Sequence, residues 1–123
     1  MIKILLVDDN APIRNAIKIM LNSELEIQVI GECSDGSEVI PFLQNTIPDV
    51  ILMDYQMPIL DGVETTKLVK GLFPEIKIIG FSSTDDKYIK TAFLIHGACS
   101  FLSKYEANSN SLVGEISNCC SVA

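Results

Sequence analysis

An α/β fold built on a five-stranded, doubly wound parallel sheet is the class this sequence predicts, and three observations predict it. Five short apolar runs alternate with five stretches of helical periodicity. The runs are rich in Ile, Val and Leu, as strands buried on both faces must be. Three of them end in charged residues: Ile4-Leu5-Leu6-Val7 runs into Asp8-Asp9, Val50-Ile51-Leu52-Met53 into Asp54, and Phe101-Leu102-Ser103 into Lys104. Open α/β sheets bind their ligands at the carboxyl ends of the strands. Three carboxylates and one ammonium are therefore expected at one edge of the sheet.

The elements follow in order. Residues 2–7 read as the first strand, and Asn10-Ala11-Pro12 opens a helix with Asn as cap and Pro in the first turn. Ile13, Ile17, Met20 and Leu21 carry its helical spacing to about residue 22. Residues 26–31 alternate as a second strand, and Asp35 caps a helix carrying Val39, Ile40, Leu43 and Ile47, with Pro41 inside the pattern. Residues 49–53 are the most apolar strand. The loop 54–62 that follows is too long for a tight turn, and helical periodicity resumes over 63–72. Strand four covers 75–81, a polar loop covers 82–86, and a helix over 88–96 ends at Gly97. Strand five covers 99–102, and a last helix follows Asn108. Right-handed crossovers turn this alternation into a parallel sheet with helices on both faces.

With 123 residues, residues 1–123 form one domain, long enough for a core without staples. Hydrophobic residues at 48% and charged residues at 20% exclude disorder. No apolar run approaches the roughly 20 residues of a membrane span. The start, Met1-Ile2-Lys3-Ile4, enters a strand without a signal-peptide pattern, so the expected location is cytoplasmic, away from membranes. A net charge of −7, with nine Lys and Arg spread along the chain, argues against nucleic acid as a partner of this domain. Cys33, Cys99, Cys119 and Cys120 form no C-x-x-C pair, and His96 is the single histidine, so no soft-metal set is expected. Cys33 and Cys99 read as small buried apolar residues, Cys119-Cys120 as helix-end residues, and all four as reduced thiols. His96, just before Gly97, reads as a helix-end residue suited to the dipole rather than a catalyst.

Asp8 and Asp9 repel each other unless a cation neutralises them, and Mg²⁺ takes one or two carboxylates together with phosphate oxygens. A pair of acids at a helix start also suits the dipole, but Asp54 at the neighbouring strand end favours a cation site. Asp54 is a third ligand or a nucleophile able to form an acyl phosphate. Met57-Pro58 and Asp61-Gly62 hold an irregular backbone that could turn the Gln56 carbonyl toward the metal. Ser82 ends strand four at the same edge; Ser82, Ser83, Thr84 and Asp85 are also candidates to cap the next helix. Lys104 is a point charge for a phosphoryl oxygen or for Asp54.

In this arrangement the chain resembles the receiver domain of two-component response regulators over essentially its whole length. The resemblance is carried by Leu5-Leu6-Val7-Asp8-Asp9, by Asp54 with Met57-Pro58 and Asp61-Gly62, by Ser82 after Phe81, and by Gly97-Ala98 through Lys104. It implies a flavodoxin-like (βα)5 fold with strand order 2-1-3-4-5. It also implies that Asp54 accepts phosphate from a sensor histidine kinase, a phosphotransfer protein or a small acyl phosphate. Asp8, Asp9, Asp54 and the Gln56 carbonyl would hold Mg²⁺, and Ser82 and Lys104 would bind the phosphoryl group. Ser82 and Phe101 would form the switch, and Gln56 and Thr84 would tune hydrolysis. Such a domain catalyses only its own phosphorylation and dephosphorylation and is not otherwise an enzyme. Added charge would bias an existing equilibrium, read on a face of the fourth strand, fourth helix, fifth strand and fifth helix that includes Tyr88, Lys90, Thr91, Leu94, His96 and Phe101. A homodimer through that face is compatible with the resemblance.

Two departures stand out. Tyr105 replaces the proline that commonly follows the lysine, so a trans Lys104–Tyr105 bond is expected. Phe101 replaces the frequent tyrosine. Three other readings remain: a Mg²⁺ phosphatase using Asp54, which lacks a second Asp two residues on and a substrate cap; a stand-alone pseudo-receiver used for docking; and a receiver excised from a DNA-binding transcription regulator. Gly31-Glu32-Cys33-Ser34-Asp35-Gly36 is similar to receivers of the LuxR/NarL type, which favours the last of these.

Overall fold

The computed structural model describes residues 1–83, 86–105 and 107–120. Five strands, β1 (Ile2–Val7), β2 (Ile27–Cys33), β3 (Val50–Met53), β4 (Lys77–Ser82) and β5 (Ser100–Ser103), form one sheet. Its order is β2-β1-β3-β4-β5, and every pairing is parallel. The helices are α1 (Ala11–Asn22), α2 (Val39–Leu43), α3 (Gly62–Leu72), α4 (Lys87–Ile95) and α5 (Ser109–Cys120), with a 3-10 turn, Gly36–Glu38, before α2.

The period-two alternation of the strands divides the core. Leu5, Val7, Ile51, Met53 and Ile78 pack on one side with Val39, Leu43, Val69 and Phe93 from α2, α3 and α4. Ile4, Leu6, Leu52, Ile79 and Phe81 face the other way, onto Ile17 and Leu21 of α1 and Leu112 and Ile116 of α5. A helix on each side is what makes β1 and β3 almost purely apolar.

Caps fall where local chemistry puts them. Asn10 Oδ1 accepts from the Ile13 amide at 3.1 Å, and Asp61 Oδ1 from the Glu64 amide at 2.8 Å. Asp86, which is not among the cap candidates Ser82, Ser83, Thr84 and Asp85, caps α4 through the Tyr88 amide at 2.8 Å. His96 is the C-cap of α4, and Gly97 beyond it takes a φ of 110°, which only glycine adopts without strain. No peptide bond among the described residues is cis, so Lys104–Tyr105 is trans.

Two expectations fail. The second helix stops at Leu43 instead of reaching Ile47, because Ile47 precedes Pro48 and is biased out of the helical region. Cys99, read as a small buried residue, is instead exposed and joined to Cys119 in a disulfide, with Cα atoms 6.3 Å apart, where the sequence suggests reduced thiols. The bond forms because α5 runs back along the sheet and returns its last turn to the start of β5. Among the described residues, Cys33 and Cys120 are free thiols, and Cys33 is buried as expected.

Candidate functional site

The cleft at the carboxyl end of the sheet has a volume of about 450 Å³ and is lined by Asp8, Asp9, Asn10, Asp54, Gln56, Met57, Ser83 and Lys104 among others. β1 and β3 are neighbours paired Val7 to Met53, so the residues that follow them emerge side by side. Asp8, Asp9 and Asp54 each offer a carboxylate oxygen, all within 4.8 Å of one another. Asp8 and Asp54 are buried, at 2% and 6% exposure, and Asp9 is exposed. The Asp54 amide donates to the Val7 carbonyl at 2.9 Å, extending the ladder to the carboxylate itself.

Lys104 arrives from the sheet edge. Its amide donates to the Ser82 carbonyl at 2.8 Å, which carries the β4–β5 pairing one residue past β5. Its Nζ reaches Asp8 Oδ2 at 2.5 Å and Asp54 Oδ1 at 3.2 Å and lies 5.7 Å from the centre of the Phe81 ring. Asp8 Oδ1 also accepts from the Asn10 amide at 2.9 Å. Arg14 Nη1 donates to the Asp8 carbonyl at 2.5 Å, and Arg14 Nε pairs with Glu32 at 3.2 Å.

Burial is the largest influence on Asp54, and the negative charge of Asp8 adds to it. Together they push its carboxyl up to about 6, against the opposing pull of Lys104 and the Tyr55 amide. A site holding three carboxylates against one ammonium has an excess of negative charge. Its donors are all oxygen, the chemistry Mg²⁺ prefers, so the residues present fit that ion.

Ser82 is the last residue of β4 and is 3% exposed. Gln56 is exposed on the lip of the cleft. Phe101, half-buried, packs its ring 5.6 Å from that of Phe93, and Tyr55 meets Phe93 at 6.4 Å from the side of the site. Thr84 lies outside the described residues. Tyr88, Lys90, Thr91 and Leu94 are exposed and His96 is half-buried.

The family model for the response regulator receiver domain matches residues 4–116. The chain belongs to the response regulator receiver family. This receiver is 41% identical over 107 residues to a protein-glutamate methylesterase/protein-glutamine glutaminase of Clostridium acetobutylicum, a match covering 85% of this chain and 31% of the relative. It is 34% identical over 112 residues to the transcriptional regulatory protein DegU of Brevibacillus brevis, covering 91% of this chain and 47% of that protein. Among solved structures, the response regulator domain of Thermotoga maritima CheB superposes with a TM-score of 0.92 at 30% identity, covering 100% of this chain and 98% of that one. The receiver domain of the putative regulator NarL of Mycobacterium tuberculosis gives 0.89 at 26% identity, covering 96% and 94%. The chain spans about a third to a half of the length of those two curated relatives. Among the described residues, no helix is long and apolar enough to cross a membrane.

One feature of the site carried only half its meaning in the sequence. Asp35 reads as a helix cap, and it does accept from the Ser37 amide at 2.9 Å. It also accepts from the Ile59 and Leu60 amides at 3.1 and 3.3 Å, across 24 and 25 residues. No local spacing signals that second role.

Proposed function

We propose that residues 1–123 form one receiver whose Asp54 accepts a phosphoryl group from a sensor histidine kinase or a phosphotransfer protein. The observation that carries this reading is the meeting of Asp8, Asp9 and Asp54 within 4.8 Å, with Lys104 bridging Asp8 and Asp54. An Asp54 carboxylate oxygen attacks phosphorus, an O–P bond forms, and the bond to the donor's imidazole nitrogen or acyl oxygen breaks; a leaving imidazole takes its proton from water. Asp8, Asp9, Asp54 and the Gln56 carbonyl would hold Mg²⁺, which supplies the positive charge that lets an anionic nucleophile meet an anionic phosphoryl group. Lys104 holds positive charge at the Asp54 oxygen, and Ser82 stands one strand away as the phosphoryl hydrogen-bond partner. Gln56 and Thr84 are assigned to tuning the attack of water on the acyl phosphate.

The switch reading follows from the same residues. Phosphorylation adds nearly two negative charges and three acceptor oxygens, and movement of Ser82 toward them lets the half-buried Phe101 turn further inward from its place beside Phe93. The face of α4, β5 and α5, including Tyr88 and Leu94, then meets the output partner or a second copy of the chain. By analogy with the relatives, the output is transcriptional regulation or an enzymatic activity such as methylesterase, and the receiver itself binds no nucleic acid.

Acetyl phosphate with Mg²⁺ is expected to add one phosphoryl mass to the chain. EDTA abolishes the addition, and Asp54→Asn removes it while leaving the chain folded. Relief of the repulsion from Asp8 should make that variant melt higher than the wild type. Undiminished labelling of Asp54→Asn would refute the assignment.

A further inference from the structure

The loop that follows Asp54 has little backbone order of its own. Its neck is closed by the Gly62 amide donating to the Tyr55 carbonyl at 2.8 Å. Between these points, among the described residues, the amides of residues 56–61 make no backbone–backbone hydrogen bond outside helices and strands. A loop held only at its neck would leave the exposed Gln56 to sample many conformations. Two contacts beyond the neck prevent this. Met57, next in sequence, is 9% exposed and belongs to the core on the α2–α3–α4 side. Asp35 provides the other, through Ile59 and Leu60.

We propose that Asp35 is a positioning residue for the divalent cation: its buried carboxylate, together with the Met57 plug, fixes the loop so that the Gln56 carbonyl is presented to the metal. The proposal rests on the reading of the cleft as a Mg²⁺ site. Asp35 suits the task. It is 5% exposed, and each of its oxygens is occupied, Oδ1 by the two loop amides and Oδ2 by the Ser37 amide and hydroxyl. Burial opposes its charge, but the hydroxyl and amide bonds outweigh burial and hold its carboxyl at about 2. The acceptor is therefore ionised, and bonds to an ionised acceptor are the stronger kind. The strap also has no slack. A Cβ on Gly36 would lie 2.5 Å from the Leu60 carbonyl oxygen and would also collide with Thr65 Oγ1 at the start of α3, so loop and turn already touch. Asp35 lies outside the cluster of carboxylates and acts through the loop.

Calorimetric titration of Mg²⁺ into the full chain, with acetyl phosphate labelling in parallel, separates the outcomes. Asp35→Ala should weaken Mg²⁺ binding about tenfold or more, the usual effect of losing a residue that orients a metal ligand. Asp35→Asn, whose amide oxygen still accepts but carries no charge, should fall between. The labelling rate at saturating Mg²⁺ should stay within about twofold of wild type, so the loss appears in the Mg²⁺ concentration needed. Ile116→Ala, on the opposite face of the sheet, should lower stability and leave Mg²⁺ affinity unchanged, which a merely structural role for Asp35 would also do. If Asp35→Ala does not fold, Asp35→Asn decides. Wild-type Mg²⁺ affinity in the folded Asp35 variants overturns the proposal, whereas a wild-type chain that binds no Mg²⁺ overturns the site reading beneath it.

Discussion

β1 and β5 end at the same cleft, yet they are held in opposite ways. β1 lies inside the sheet, paired with β2 and β3, and its last four residues are at most 1% exposed. β5 is an edge strand paired with β4, and all four of its residues are half-buried. The carboxylates therefore stand on a frame packed on both faces, where displacement would open cavities on each side. Phe101 and Lys104 stand on a strand with one neighbour, held by a few discrete contacts: the Phe93 ring, the Ser100 hydroxyl donating to Glu115 at 2.7 Å, the Cys99–Cys119 bond and the Lys104 ion pairs. The same cleft is thus walled on one side by a frame covered on both faces and on the other by an edge strand with a single neighbour.

The strongest way to break that comparison is to remove the joint between the halves. Phe93 is fully buried and touches Tyr55 on the site side and Phe101 on the edge side. Phe93→Ala should cost about 3–5 kcal/mol, read by urea unfolding. A cost under about 1 kcal/mol would mean that the edge does not depend on this ring.

A second perturbation acts on the edge alone. The disulfide closes a loop with a sequence separation of 20, and reduction should cost about 3 kcal/mol on the loop-entropy account. Cys99→Ser should show the same loss and become insensitive to reductant. Equal unfolding midpoints with and without reductant would remove the bond from the list of things that hold β5.

The smallest effect sharpens the rigid half. The folded pKa of Asp35 lies below its unfolded value, so the carboxylate contributes its full stability above the unfolded value of about 3.9. That contribution is lost as pH falls toward the folded value of about 2. Wild type should exceed Asp35→Asn by about 1 kcal/mol near neutrality, and the two should converge near the acid limit. A difference independent of pH would show that the strap works without charge.

Much of the molecule was legible in order along the chain. The strands announce themselves because both faces are covered and no polar alternation is tolerated, and Asn10, Asp61 and Gly97 mark helix ends through bonds that reach three residues or fewer. The site was legible for a related reason: when parallel strands are neighbours, whatever follows their last apolar residue shares an edge, so Asp8, Asp9, Asp54 and Lys104 could be placed together without coordinates. The short α2 was misjudged because Val39, Ile40, Leu43 and Ile47 keep helical spacing past the point where Pro48 forbids it.

By itself, then, the sequence determined the order of elements, the two-sided core and the residue types at the strand ends, because these depend on local periodicity and on one rule of parallel sheets. Tertiary structure alone decided that Lys104 spans Asp8 and Asp54, that Asp35 straps a loop 24 residues away, and that Cys99 meets Cys119. Each of these needs the relative placement of elements distant in sequence to within a bond length, and that placement is settled by how the whole core packs.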